Sequence, residues 1–150
     1  MSDLSELYEE LIKDHSKQPR NFRDLPDANH KAVGQNPLCG DHLIVYLNLQ
    51  DDKITDVAFR GDGCAISKSS ASLMTQALKG KTKDEAERMF AQFHELLTGP
   101  HDAEVDTEKL GKLAVFSGVR RFPVRVKCAT LAWHTLLNAL NDRNEPASTE

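Results

Sequence analysis

Apolar residues recur along this chain at two spacings, and each spacing predicts a type of secondary structure. Spacings of three and four residues predict five helices. These cover about residues 4–17, from just after Cys64 to Gly80, 83–97, 107–116, and from between 123 and 128 to about 140. Alternating apolar and polar residues predict strands around 43–49 and 54–60, with a further short strand at 30–34. The order of elements predicts an α+β domain, with helices packed on one face of a small antiparallel sheet of about three strands.

The same pattern predicts one domain rather than several. No internal repeat, low-complexity tract or long linker divides the sequence, and 150 residues suit a single core. We expect the domain to span residues 1–140. The last ten residues, 141–150, form a polar tail that we expect to be frayed.

Composition and charge narrow the classes of function. The chain is 39% hydrophobic and 28% charged, and 19 basic against 23 acidic residues give a net charge of −4. This balance argues against nucleic-acid binding, which needs a basic excess to meet phosphates. No apolar run approaches the ~20 residues of a membrane span. The first residues lack the basic and apolar regions of a signal peptide, so we expect a cytoplasmic protein.

Three cysteines are the most informative residues. Cys39 precedes a predicted strand, Cys64 lies between a strand and a helix, and Cys128 lies at or near the start of the final helix. Helix N-termini favour thiolates, so two of the three have that help available. Four basic residues near Cys128 would further stabilise a thiolate if their side chains point inward. They are Arg120, Arg121, Arg125 and Lys127. An odd number of cysteines and no export signal favour reduced thiols over a disulfide framework.

A carboxylate completes a set of four candidate metal ligands. Asp41 follows Cys39 by two residues and shares its side of the chain if the strand has begun there. Three thiolates and one carboxylate match the four ligands of a tetrahedral Zn²⁺ site, with His42 as a reserve ligand. The spacing contains no CxxC pair, and a cysteine is often simply a small buried apolar residue. Soft sulfur ligands also suit iron or copper(I), so the residues alone leave the metal open.

Taken together, three motifs resemble those of the NifU/IscU-like iron–sulfur cluster assembly family. They are Cys39-Gly40-Asp41, Gly63-Cys64-Ala65-Ile66-Ser67 and Phe122-Pro123-Val124-Arg125-Val126-Lys127-Cys128-Ala129. The resemblance covers nearly the whole chain except the tail. Housekeeping scaffolds of the family carry a histidine before the third cysteine, where this chain has Lys127. That lysine and the extra helical material around residues 82–117 are similar to the SufU branch of Gram-positive and related bacteria.

The resemblance implies a function as well as a NifU/IscU-like α+β fold. It implies a zinc site formed by Cys39, Asp41, Cys64 and Cys128. It also implies that Cys39 accepts persulfide sulfur from a SufS-type cysteine desulfurase, for use by downstream iron–sulfur assembly proteins. We hypothesise that a group from the docked desulfurase replaces Cys39 on zinc and frees this thiolate to attack the persulfide. Arg125 is a candidate for orienting the partner or the site.

Two other functions use the same residues. The protein is alternatively a scaffold that binds a transient iron–sulfur cluster through these cysteines. Lys127 counts against a scaffold, because a protonated lysine cannot coordinate a metal. A closed structural zinc site is the third hypothesis, and it would leave no unusually reactive cysteine. The sequence favours a sulfurtransferase-type accessory protein of a desulfurase.

Overall fold

The computed structural model describes residues 3–37, 39–100, 104–142 and 147–148, with side chains from residue 6 onward. Within these residues the chain forms helices and one mixed sheet, in an α+β arrangement. In chain order the elements are α1 (Asp3–Lys17), β1 (His30–Asn36), β2 (Asp41–Gln50), β3 (Lys53–Asp62), α2 (Ala65–Leu78), α3 (Lys83–Thr98), α4 (Thr107–Leu110), a 3-10 helix (Gly111–Arg121), α5 (Pro123–Leu140) and β4 (Ala147–Ser148).

The sheet has the strand order β3–β2–β1–β4, and its first three strands form the predicted antiparallel meander. Asp51 and Asp52 join β2 to β3 with φ angles of 53° and 64°. Two successive positive φ angles match the right-handed twist of a hairpin. β1 continues past the predicted end at Gly34, as far as Asn36, which lies opposite Asp41 of β2.

The fourth strand was not predicted. Ala147 and Ser148 pair in parallel with Gly34 and Gln35, and Ala147 is only 6% exposed. The expectation of a frayed tail is therefore wrong for these two residues, while 143–146 and 149–150 lie outside the described residues. Strand β1 would otherwise present an unpaired backbone edge, and a short segment can pair with such an edge whatever its side chains.

The core lies between one face of the sheet and the helices, as predicted. Leu43, Val45 and Leu47 alternate along β2 and are each 0% exposed. α5 packs against β1 and β2, and α2 packs against β3. Trp133 of α5 stacks on Phe93 of α3 with 5.0 Å between ring centroids. Burying each such side chain contributes about 1.5–3 kcal/mol, so this layer fixes α5 relative to the sheet.

The helix predicted over residues 107–116 takes a different form. α4 ends at Leu110, and the chain continues as a 3-10 helix to Arg121. Gly111 separates the two with a φ of 57°, in the left-handed region, which interrupts the hydrogen-bond ladder of an α-helix. Phe116 and Val119 remain buried, so the apolar pattern predicted the core contacts but not the helix type.

Candidate metal centre

Cys39 lies on the tight turn that joins β1 to β2. Its backbone N–H donates to the carbonyl oxygen of Asn36 at 3.1 Å, and the N–H of Gly40 donates to that of Pro37 at 3.2 Å. Gly40 has a φ of 72°, a conformation that glycine adopts without strain. The cysteine is half-buried and belongs to no helix or strand.

Asp41 is the first residue of β2 and is 2% exposed. Its Oδ1 accepts a hydrogen bond of 2.9 Å from the backbone N–H of Cys64. Its Oδ2 is buried, and no described residue provides it with a hydrogen-bond partner. A carboxylate oxygen buried in this way is costly unless a cation or a donor reaches it.

Cys64 is the N-cap residue of α2. Its sulfur accepts a 3.4 Å hydrogen bond from the backbone N–H of Ser67, which confirms its predicted place at the helix start. Gly63, just before it, has no room for a side chain. A Cβ at this position would lie 2.7 Å from Oδ1 of Asp41 and 3.2 Å from Ser67. The glycine therefore allows the carboxylate to approach the helix terminus.

Cys128 does not lie at a helix start. α5 begins at Pro123, which places Cys128 in its second turn, at 2% exposure. Burial first of all, and then the neighbouring groups of Cys39, Asp41 and Cys64, raise the pKa of the Cys128 thiol well above its usual range. The effect of a helix terminus falls off within the first turn, so it does not reach Cys128, and the expected help from the basic residues depended on side chains that point inward. Arg125 is instead exposed, with its guanidinium 4.7 Å from the ring centroid of Phe122.

The fold brings three of the four predicted ligands together. One sulfur each from Cys39 and Cys128 and one carboxylate oxygen of Asp41 lie within 4.8 Å of one another. For comparison, two sulfurs on one tetrahedral Zn²⁺ lie about 3.8 Å apart. The Cys64 sulfur is outside this group of three. Cys64 still lies beside the group, since its backbone N–H donates to Oδ1 of Asp41.

The donor set fits a metal ion on chemical grounds. Two sulfurs and one carboxylate oxygen converge in a largely buried place. A cation there would stabilise the thiolates and could also satisfy Oδ2 of Asp41, which has no partner among the described residues. His42 does not contribute, because it alternates with Asp41 along β2 and is exposed. Soft sulfur donors suit zinc or iron equally.

Two polar residues lie beside the centre, and the sequence alone assigned no chemical role to either. Asn36 is 0% exposed, and its side-chain amide donates to the sulfur of Cys128 at 3.9 Å. Ser67 is also 0% exposed, with an Oγ that has no partner among the described residues. In the sequence, only the two-residue spacing of Asn36 from Ala32 and Gly34 indicates that it lies on the buried face of β1.

A surface groove lies between α1, the 3-10 helix and the start of α5. Its volume is about 560 Å³, and its lining includes Tyr8, Ile66 and Phe122. Two apolar side chains at the start of α5 are unusually exposed, Phe122 at 48% and Val124 at 58%. Exposed apolar groups beside a groove are typical of a binding surface.

No helix in the described part of the chain has the length and apolar character to cross a membrane.

Comparison with known proteins agrees with the resemblance seen in the sequence. Residues 7–142 match the NifU-like N-terminal domain family. The chain is 39% identical over 140 residues to the iron–sulfur cluster assembly scaffold protein IscU of Streptococcus pyogenes, covering 93% of this chain and 86% of that relative. It is 41% identical over 136 residues to the zinc-dependent sulfurtransferase SufU of Bacillus subtilis, covering 90% of each.

A solved structure confirms the fold. The crystal structure of a proposed iron–sulfur cluster assembly scaffold protein for the SUF system from Fervidobacterium islandicum superposes with a TM-score of 0.81 at 39% identity. The match covers 87% of this chain and 94% of that one. By fold, by motif and by identity over most of its length, the chain belongs to the NifU-like N-terminal domain family, whose members include proteins named IscU and SufU.

Proposed function

We propose that this protein accepts sulfane sulfur on Cys39 from a cysteine desulfurase and passes it on for iron–sulfur cluster assembly. The family to which the chain belongs serves iron–sulfur cluster assembly, and a relative at 41% identity is named a zinc-dependent sulfurtransferase. The observation that carries the proposal is the convergence of Cys39, Asp41 and Cys128 within 4.8 Å.

Cys39, Asp41, Cys64 and Cys128 are the residues proposed to hold a zinc ion. When bound, Zn²⁺ supplies a Lewis acid that stabilises thiolates and has no redox chemistry of its own. Oδ2 of Asp41, which has no partner among the described residues, supports its place in this set. The neighbouring sulfur of Cys64 supports a fourth position, although its present hydrogen bond is to Ser67.

Cys39 is proposed as the acceptor because the other two cysteines are held in helices. Cys128 is 2% exposed within α5, and the sulfur of Cys64 caps α2. Cys39 is half-buried on a turn, so its sulfur can reach a partner without disturbing a helix or strand. Its thiolate attacks the outer sulfur of the donor persulfide. A new S–S bond forms on Cys39, the donor S–S bond breaks, and the donor cysteine leaves as a thiolate.

The groove between α1, the 3-10 helix and α5 is proposed as part of the surface that meets the desulfurase. Its lining includes Ile66, two residues from Cys64, and the exposed Phe122; Val124, two residues further along the chain, is exposed as well. Arg125 also lines it, and its guanidinium stacks on Phe122. A partner that buries these apolar side chains would sit close to the cysteines. Arg125 is in a position to orient such a partner.

A second candidate function is that of a scaffold for a transient iron–sulfur cluster. The observation that favours it is the relative named IscU, which at 39% identity is about as similar to this chain as the one named SufU. The same sulfurs suit iron and sulfide. Lys127, in the position where housekeeping scaffolds carry a histidine, favours the sulfur acceptor.

Mapping of the persulfide tests the proposal without any substitution. The zinc-loaded protein is incubated with a SufS-type desulfurase and cysteine, alkylated, and digested for mass spectrometry. We expect the added sulfur on Cys39, and we expect faster cysteine turnover only when zinc has not been removed by a chelator. Sulfur on Cys64 or Cys128 alone would contradict the acceptor assignment. A red-brown protein that carries iron and sulfide after anaerobic purification would favour the scaffold.

A further inference from the structure

Asn36 links two of the candidate ligands that are far apart in sequence. It is the last residue of β1, lies opposite Asp41 in the antiparallel register, and is 0% exposed. Its backbone carbonyl accepts the N–H of Cys39 at 3.1 Å. Its side-chain amide donates to the sulfur of Cys128 at 3.9 Å. One buried residue therefore contacts both the turn that carries Cys39 and the helix that carries Cys128.

The side chain of Asn36 is poorly explained by the stability of the fold. Its Oδ1 is buried and finds no partner among the described residues, so the amide carries an uncompensated desolvation cost. Asparagine is also disfavoured in strands. An apolar side chain of similar shape would avoid both costs. The amide is consequently best explained by its N–H group, which points a donor at a sulfur.

The value of that donor depends on the charge of the sulfur. Hydrogen bonds to an ionised acceptor are roughly twice as strong as those between neutral groups. A metal-bound sulfur has thiolate character and is the better acceptor. Residues that hydrogen-bond to metal ligands orient them and alter their electron density.

We propose that Asn36 is a positioning residue that holds Cys128 as a metal ligand, an inference that rests on the proposed metal centre. The amide N–H fixes the direction of the Cys128 sulfur and withdraws electron density from it. A thiolate that accepts a hydrogen bond is a weaker nucleophile. Asn36 thereby helps to keep Cys128 as a holding ligand and leaves Cys39 as the reactive one.

The test compares Asn36→Leu and Asn36→Ala with a control on α5. Leucine keeps the branched shape without the amide, and alanine provides a second variant if leucine overpacks the site. The control is Thr135→Val, because Thr135 is also 0% exposed and donates to the carbonyl of Leu131 at 2.7 Å. For each full-length protein, zinc affinity is measured by chelator competition. The sulfur-to-cobalt charge-transfer band is recorded after Co²⁺ loading, and the unfolding midpoint is measured without metal.

We expect both Asn36 variants to bind zinc about 10–100-fold more weakly, as is typical when a partner of a metal ligand is lost. Their charge-transfer band should move to longer wavelength, since a thiolate without its donor gives up an electron more easily. Thr135→Val should change neither. Unchanged zinc affinity and an unmoved band in both variants would overturn the inference. So would a loss of metal-free stability far beyond that of the control, because it would assign Asn36 to the fold. Failure of the wild-type protein to bind zinc or cobalt would instead overturn the proposed function.

Discussion

Gly63→Ala tests whether the Asp41 carboxylate is held as closely to α2 as the structure shows. A Cβ at position 63 would stand 2.7 Å from Oδ1 of Asp41, closer than the 3.4 Å at which ordinary contact begins. The carboxylate must move by about 0.7 Å to relieve this contact. Because the Cys64 N–H follows Gly63 in the chain, the same movement lengthens its 2.9 Å bond to Oδ1.

The expected effect is moderate and measurable. Losing a hydrogen bond to a carboxylate costs about 1.5–3 kcal/mol. Alanine returns about 0.4–1 kcal/mol by restricting the unfolded chain. The net loss of about 0.5–2.5 kcal/mol lowers the unfolding midpoint of a domain of this size by roughly 1–10 °C. Zinc affinity should fall as well, because the displaced carboxylate is one of the proposed ligands.

The assay is thermal unfolding with and without zinc, together with chelator competition. Gly118→Ala is the matched control, since a Cβ at that position meets no atom within 4 Å. It should leave zinc affinity unchanged and the midpoint equal or slightly higher. If Gly63→Ala behaves like Gly118→Ala in both measurements, the carboxylate is not fixed beside position 63 and the geometry of the centre is wrong.

Three further predictions address reactivity, capping and pH. Alkylation of the metal-free protein, followed by peptide mass spectrometry, should modify the half-buried Cys39 faster than Cys128, which is 2% exposed. Added zinc should slow the alkylation of Cys39. Equal alkylation rates for Cys39 and Cys128 would contradict the burial shown. Thr82→Ala removes the capping box of α3 and should cost about 0.5–2 kcal/mol in denaturant unfolding. The exposed Thr98, at the other end of that helix, serves as its control. The side chain of His15 bonds to Ser72 at 2.6 Å, and burial lowers its pKa. As pH drops below about 6.5, this histidine takes up a proton in the unfolded chain before it does so in the folded protein, so the free energy of unfolding should fall. His15→Gln should flatten that slope, and an unchanged slope would contradict this explanation.

Local patterns predict much of this fold because local physics determines those parts. Alternating Leu43, Val45 and Leu47 specify which face of β2 is buried, and Asp51-Asp52 tolerates the positive φ angles of a hairpin. By contrast, β4 depends on an edge left open by β1, which no feature of the tail reveals. The 3-10 helix after Gly111 depends on one backbone angle that the apolar spacing does not encode.

The candidate site was predicted by residue type but not in its electrostatics. Cysteines at a turn, a helix start and a helix pointed to one centre, and the structure brings Cys39, Asp41 and Cys128 together. The start of α5 was predicted only as a range, 123–128, and the helix begins at its first residue, so the helix terminus lies five residues before Cys128. Asn36 was missed because its proposed role depends on a contact with the sulfur of Cys128, which lies far along the chain.

X-ray absorption at the zinc edge of the zinc-loaded protein identifies the atoms bound to the metal. We expect one zinc per chain, with three sulfur neighbours at about 2.3 Å and one oxygen neighbour at about 2.0–2.2 Å. A coordination shell without sulfur, or a protein that retains no zinc after removal of excess metal, would contradict it.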